Sequence, residues 1–139
     1  MNRKSMDWAL LFLRLAVGVI FVVHGSQKLF GYGLAGVTGF VANMGFPLPK
    51  VFAALLMGAE FGGGILVLLG LLTRLAALSI AIDMAVAIFA VHITKGFYLP
   101  NGFEYAFLNF FATLTLLFAG GGGLSLDGLI FPRKHSTST

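Results

Sequence analysis

Four long apolar segments, each with few polar positions, alternate with shorter polar stretches along the 139-residue chain. They cover residues 8–25, 51–72, 75–93 and 103–120. A helix of about 20 residues crosses the hydrocarbon layer of a bilayer. Continuous apolar runs favour helices over barrel strands, in which apolar and polar positions alternate. The pattern predicts an all-α polytopic membrane protein, a bundle of four transmembrane helices that forms one domain over residues 1–139.

The composition supports a location in lipid. Hydrophobic residues make up 58% of the chain, charged residues only 10%, and the mean hydropathy is +0.97. The alternative is a buried helical protein, but helices of that class seldom run so long without a polar face. Most of the basic residues behind the net charge of +4 flank the apolar segments, where the membrane surface lies. The charge therefore indicates no nucleic-acid partner. The chain has no cysteine, which excludes disulfides and thiol chemistry within it.

The charges that flank the segments predict an orientation. The first segment resembles a secretory signal, but Arg14 interrupts it and no cleavage site follows, so we expect an uncleaved helix. Four spans place both termini on one side, and the side with more basic residues faces the cytoplasm. The terminal side carries Arg3, Lys4, Arg74, Arg133 and Lys134, and the opposite side carries Lys28, Lys50 and Lys95.

The linker after the first segment contains a further helical pattern. Its apolar positions, at helical spacing over residues 34–44, are Leu34, Val37, Phe40, Val41 and Met44. Small and polar residues occupy the other face. A glycine and two prolines follow directly at 45–49 and end the pattern. We predict a short amphipathic helix that lies in the membrane interface, with a plain surface connector as the alternative.

Each apolar segment carries one strongly polar residue in its interior. These residues are Arg14, Glu60, Asp83 and Asn109, and we predict that they form a buried cluster. An isolated charge at mid-bilayer costs at least ~2.5 kcal/mol, so Arg14 is expected to pair with Asp83 or Glu60, and the lean of helical side chains favours Asp83. One cation and two carboxyls leave an unbalanced charge. Either one carboxyl holds a proton or the cluster handles a ligand or a proton; the alternative is an ion pair that only fixes helix register.

Small residues suggest how the second segment packs. Its residues Ala54, Gly58 and Gly62 form a ridge that lets helices approach closely, within one bundle or between two copies of the chain. The adjacent Gly63 and Gly64 are expected to leave space beside Glu60.

A second polar set gathers at the predicted extracytoplasmic ends of the segments. Its hydrogen-bonding groups and neighbouring aromatic rings suit a quinone head group, whereas an ordinary belt of interfacial side chains is the alternative. The similar depth of His24 and His92 suggests a haem site as a further alternative. No residue pattern supports haem or zinc, so we predict no metal site. The candidate ligand-binding residues are His24, Lys28, His92, Tyr98, Glu104 and Tyr105.

Three runs carry a resemblance to a known family. They are HGSQKLFG at 24–31, LGLLTR at 69–74 and GGGLSLD at 121–127, arranged around Glu60 in the second segment. In this order they resemble the DoxX family of small bacterial membrane proteins. The resemblance implies a four-helix bacterial inner-membrane protein. It does not extend to Asp83, which favours Glu60 as the partner of Arg14. The family-type positions are Arg14, Gly25, Lys28, Gly31, Glu60, Arg74, Glu104 and Asp127.

The resemblance also implies functions, since related proteins are named for a thiosulfate:quinone oxidoreductase subunit or linked to complexes that handle oxidative stress. The leading hypothesis is therefore a membrane subunit of a quinone-linked redox complex, with partner subunits. The alternatives are a carrier for a small molecule or lipid, and a structural membrane subunit that assembles with itself or with partners. The sequence assigns no catalytic residue, and quinone is the only cofactor it suggests.

Overall fold

The computed structural model describes residues 2–132, and Arg133 and Lys134, which entered the predicted orientation, lie outside this range. Within it the chain forms helices and no strand, so the predicted all-α class is confirmed. The α-helices are α1 (Arg3–Ser26), α2 (Gly33–Asn43), α3 (Pro49–Met57), α4 (Gly63–Leu69), α5 (Thr73–Val86), α6 (Glu104–Ala119) and α7 (Leu126–Ile130). Three π-helical turns (Gln27–Tyr32, Gly58–Gly62, Ala87–His92) and a 3₁₀ turn (Ile93–Lys95) continue some of them.

Among residues 2–132, three continuous helical stretches are long and apolar enough to cross a membrane. They are Arg3–Asn43, Pro49–Leu69 and Thr73–Lys95. The apolar helix α6 is shorter, at 16 residues or about 24 Å. The architecture is that of a helical membrane bundle, and the lipid bilayer is its environment.

The core of the bundle lies between α1, α4, α5 and α6. Each of these helices packs against two of the others, in the cyclic order α1, α4, α5, α6. The side chains of Phe21, Val67, Ile80 and Leu116, one from each helix, are almost fully buried at the centre. Large apolar side chains such as Phe12 and Leu108 are exposed on the outside, where lipid replaces water as the solvent.

Glycines set the close approach of α1 to the second helical stretch. A Cβ atom added at Gly25 would lie 2.5 Å from the backbone nitrogen of Phe61, and one added at Gly64 would lie 2.7 Å from that of Val22. The prediction that Gly64 leaves space beside Glu60 is therefore wrong, because α1 occupies that space. Within residues 2–132 the predicted ridge is not used, since a Cβ placed at Gly58 or Gly62 would meet no atom beyond its own helix backbone within 4 Å.

The amphipathic segment forms α2, which packs on α3. Val37 and Val41 are buried against Ala53 and Met57 in a second small core. The chain reaches α2 through Gly33, whose φ of 67° lies in the left-handed region that favours glycine. The helix follows the predicted range within one residue at each end, and the pairing of its apolar face with α3 fixes its position on the bundle.

The π-helical turns were not predicted. A π turn widens the helix locally and changes the direction in which side chains point, and such turns occur frequently at functional sites. Lys28 lies in the first of them and Glu60 in the second.

We predict that Gly25→Ala and Gly64→Ala each destabilise the protein by about 1–3 kcal/mol, because the new methyl group forces two backbones apart. Gly58→Ala is the matched control on the helical stretch that contains Gly64. Its added methyl group meets open space, so the variant should change stability little. Thermal unfolding in a fixed detergent measures all three. Equal losses in the three variants would contradict the packing described here.

Candidate functional site

An ion pair between Lys28 and Glu60 joins two π-helical turns. The Lys28 Nζ atom lies 2.5 Å from Glu60 Oε2, and the side chains are 24% and 6% exposed. Glycine at position 25 permits this distance, because it lets α1 approach the backbone at Phe61, next to Glu60. The lysine ammonium therefore neutralises the carboxylate of Glu60 at the edge of the bundle.

Asp83 lies beside this pair. Its carboxyl group, on α5, interacts electrostatically with both Glu60 and Lys28. Its Oδ2 atom is buried and has no hydrogen-bond partner within the described part of the chain. The hydroxyl of Tyr105 on α6, buried and likewise without a partner there, interacts with the same two carboxyls. The ring of His24 lies 5.5 Å from that of Tyr105.

An apolar pocket of about 270 Å³ opens next to Asp83, between α2, α3 and α5. Apart from Asp83 and Ser79, its lining side chains are apolar. The Ser79 hydroxyl already donates to the Ala76 carbonyl oxygen, which leaves the carboxyl of Asp83 as the polar group of the wall. The lining residues are Val41, Met44, Phe46, Phe52, Leu55, Leu56, Ala59, Ser79, Ile82, Asp83 and Val86. We call this the α2–α5 pocket.

Arg14 does not belong to this cluster, and the prediction that it pairs with Glu60 or Asp83 is wrong. Its guanidinium is 1% exposed and donates hydrogen bonds to the carbonyl oxygens of Leu68, at 3.3 Å, and Leu124. Leu68 lies about 12 Å further along the helix than Glu60. The carbonyl groups at a helix C-terminus carry partial negative charge, so they can satisfy a buried cation without a carboxylate.

Asp127 stabilises the same end of the bundle. Its carboxylate accepts hydrogen bonds of 2.8 Å each from the backbone amides of Leu72 and Thr73, where α5 begins. Burial alone would raise the pKa of Asp127. The hydrogen bonds from Thr73 and Leu72 and the charge of Arg14 outweigh this effect and lower it below its ordinary value. The aspartate is thus a helix cap that also balances part of the charge on Arg14.

The other predicted site residues serve local structure. The Asn109 side chain donates to the Tyr105 carbonyl oxygen of its own helix, so it does not join a cluster with Arg14. His92 Nδ1 lies 2.8 Å from the Asn101 carbonyl oxygen, and Glu104 accepts from the Leu99 amide. Tyr98 is exposed. His92 ends the third π-helical turn, Tyr98 lies in the loop before α6, and Glu104 begins α6. None of the three lines the α2–α5 pocket.

The arrangement combines one ion pair, one further carboxyl group and an apolar cavity. It can hold an amphipathic molecule, with the polar end at Asp83 and the apolar part in the pocket. Within residues 2–132 no group of three or more histidine, aspartate or glutamate side chains is placed to hold a metal ion.

Sequence reasoning missed two features of the site. It assigned Glu60 and Lys28 to separate groups, because their pairing depends on π-helical turns that no residue pattern reveals. It also missed the pocket, because the residues that line it come from three elements. The glycine-rich run after the last segment signals a turn there, and it includes Ser125, the N-cap of α7, but nothing in it shows that Asp127 caps α5.

Comparisons with known proteins identify the family of the chain. The DoxX family model matches residues 9–93. The chain belongs to the DoxX family. Several relatives match it over most of their length. An uncharacterized protein of Haemophilus influenzae is 34% identical over 134 residues, which cover 94% of this chain and 96% of the relative.

Two further relatives of this DoxX protein have names. The "Putative oxidoreductase CatD" of Bacillus subtilis is 33% identical over 96% of this chain and 95% of its own. The "Inner membrane protein YphA" of Escherichia coli is 33% identical over 85% of this chain and 87% of its own. No solved structure matches.

The two charged sites of the DoxX protein should be energetically independent. We expect Arg14→Met to destabilise it by about 1–3 kcal/mol for each carbonyl oxygen that loses its donor. In a double-mutant cycle, Arg14→Met and Asp127→Asn should couple by at least ~0.5 kcal/mol, whereas Arg14→Met and Glu60→Gln should add within about 0.5 kcal/mol. Unfolding in mixed detergent micelles measures each variant. Rescue of Arg14→Met by Glu60→Gln would instead demonstrate direct pairing between the two residues.

Proposed function

We propose that this protein binds a membrane quinone in the α2–α5 pocket and serves as a membrane subunit of a redox complex. The observation that carries the proposal is the position of Asp83, which joins an apolar pocket to the ion pair of Lys28 and Glu60. A quinone has the matching chemistry, because its ring carries polar oxygens and its tail is wholly apolar.

The pocket fits one ring-sized group. Its volume of about 270 Å³ is slightly below the roughly 300–1,000 Å³ of ordinary ligand sites, so the tail would lie outside it. Leu55 and Ile82 line the pocket and are largely exposed on the outer surface of the bundle, where lipid lies. The rings of Phe46 and Phe52, whose centroids are 5.3 Å apart, offer flat apolar surfaces to the ring of a ligand.

The redox part of the proposal is supported by the name of the Bacillus subtilis relative, which describes that protein as a putative oxidoreductase. In this proposal the chain supplies the binding site for quinone, and a partner subunit or another bound cofactor delivers the electrons. The carrier hypothesis shares the pocket but requires its ligand to be a lipid or another solute.

We further propose that α6 also crosses the bilayer, giving four spans with both termini in the cytoplasm. Arg3, Lys4 and Arg74 lie at one end of the bundle, and Lys28, Lys50 and Lys95 follow or precede the opposite helix ends. The terminal side has more basic residues than the opposite side only when Arg133 and Lys134, which follow residue 132 in the sequence, are counted.

Because the chain has no native cysteine, single cysteines can report this topology. A thiol reagent that does not cross membranes should label Lys50→Cys and Tyr98→Cys from the periplasmic side of intact cells. It should label Lys4→Cys and Leu129→Cys only after the membrane is opened. Labelling of Leu129→Cys from the same side as Tyr98→Cys would show that α6 does not span the bilayer.

The quinone proposal predicts that the wild-type protein, purified in mild detergent, retains quinone in a fixed ratio to protein. Ala59→Phe should remove most of it, because the added ring fills the pocket. Ala54→Phe is the matched control: it makes the same change on the same helical stretch, outside the pocket and at an exposed position. Mass spectrometry of the extracted ligands measures the ratio. A lipid retained in place of quinone, or equal quinone in both variants, would contradict the proposal.

A further inference from the structure

The arrangement of ionisable groups beside the α2–α5 pocket determines which of them holds a proton. This inference rests on the proposed function. Three ionisable groups lie together where α5 meets the two π-helical turns: one lysine and two carboxyls. If all three were ionised, the cluster would carry one uncompensated negative charge next to an apolar cavity. Burial of such a charge is costly, and a bound proton removes the cost.

The geometry decides which carboxyl carries the proton. Glu60 Oε2 is 2.5 Å from the Lys28 ammonium, so its negative charge is neutralised directly. Asp83 forms no ion pair in the described part of the chain, and its Oδ2 atom is buried without a hydrogen-bond partner there. Asp83 also lines the α2–α5 pocket, while Glu60 does not.

We infer that Asp83 is protonated in the resting protein and donates a hydrogen bond to a carbonyl oxygen of the ligand. Protonated Asp83 can donate to the acceptor oxygens of the oxidised quinone, whereas ionised Asp83 can only accept and therefore favours the quinol, whose hydroxyl groups donate. Binding of quinone weakens as the pH rises, because ionised Asp83 can only accept hydrogen bonds.

The groups that face Asp83 act in a consistent direction. Glu60, from the second π-helical turn, opposes a second negative charge beside it. Lys28, from the first π-helical turn, favours that charge but is shared with Glu60. Tyr105, from α6, is neutral at ordinary pH and interacts with both carboxyls, and His24 contacts Tyr105 from α1. Among residues 2–132, Glu60 and Lys28 are therefore the charged groups that act directly on Asp83.

The test uses a short-tailed quinone analogue and its quinol, titrated into the purified protein in detergent. For the wild type, the affinity for the quinone should fall about tenfold once the pH is raised far enough to ionise Asp83, whereas the affinity for the quinol, whose hydroxyl groups can donate to the carboxylate, should not fall. Asp83→Asn should bind quinone at neutral pH almost as well as the wild type and lose the pH dependence, because its amide donates without titrating. Asp83→Leu should bind at least about tenfold more weakly.

An affinity for the quinone that does not fall as the pH rises, or an Asp83→Asn variant as weak as Asp83→Leu, would overturn the inference. A second readout needs no ligand and separates this inference from the quinone proposal. The infrared spectrum of the wild type should contain the C=O stretching band of a protonated carboxyl group that Asp83→Asn removes and Glu104→Gln keeps. That band with no quinone binding would refute the proposed function alone; its absence would refute the protonated Asp83.

Discussion

Charged side chains inside an apolar bundle must find their partners within the chain, and this constraint organises the whole molecule. The protein meets it at two separate places. Arg14 is satisfied by backbone carbonyl oxygens at the end of α4 and in the glycine-rich loop. Glu60 is satisfied by Lys28 across two π-helical turns. Each solution ties distant parts of the sequence together, because a lost partner would leave a buried charge.

The two places differ in what remains available to a ligand. At the Arg14 end, the guanidinium contacts two backbone carbonyl groups and Asp127 caps α5, and the buried Arg14 Nε atom has no hydrogen-bond partner in the described structure. At the other end, Asp83 and Tyr105 likewise retain buried polar atoms without partners there, and an apolar pocket lies beside Asp83. Unpaired polar atoms therefore occur at both ends. The apolar pocket next to the carboxyl group of Asp83 is the physical basis for the proposed function.

The helical class and the approximate helix positions could be predicted from the sequence, since both depend on long apolar runs and local breakers such as the prolines at 47 and 49. The amphipathic pattern at 34–44 likewise corresponds to α2. The depth of Arg14 in its segment could not identify its partners, which are backbone carbonyl groups. Every residue has such a group, so the sequence does not show which of them accept a hydrogen bond. The prediction considered only carboxylates, and this choice led to the wrong pairing.

Glycine patterns were informative but ambiguous. A run of small residues shows that some helix approaches closely, yet it does not show which of the glycines is in contact. Gly64 and Gly25 pack against backbone, while Gly58 and Gly62 meet open space. The pairing of Lys28 with Glu60 was beyond sequence reasoning for a related reason, because a π-helical turn changes the direction of a side chain relative to the regular helical spacing.

We propose that a ligand ring occupies the α2–α5 pocket with its polar end at Asp83. Photo-crosslinking with an azido-quinone, followed by peptide mapping, decides whether it does. We predict that the label attaches within residues 41–59 and 79–86, and that excess unlabelled quinone prevents this. Labelling concentrated in the loop of residues 93–103, or at the Arg14 end around residues 120–127, would contradict it.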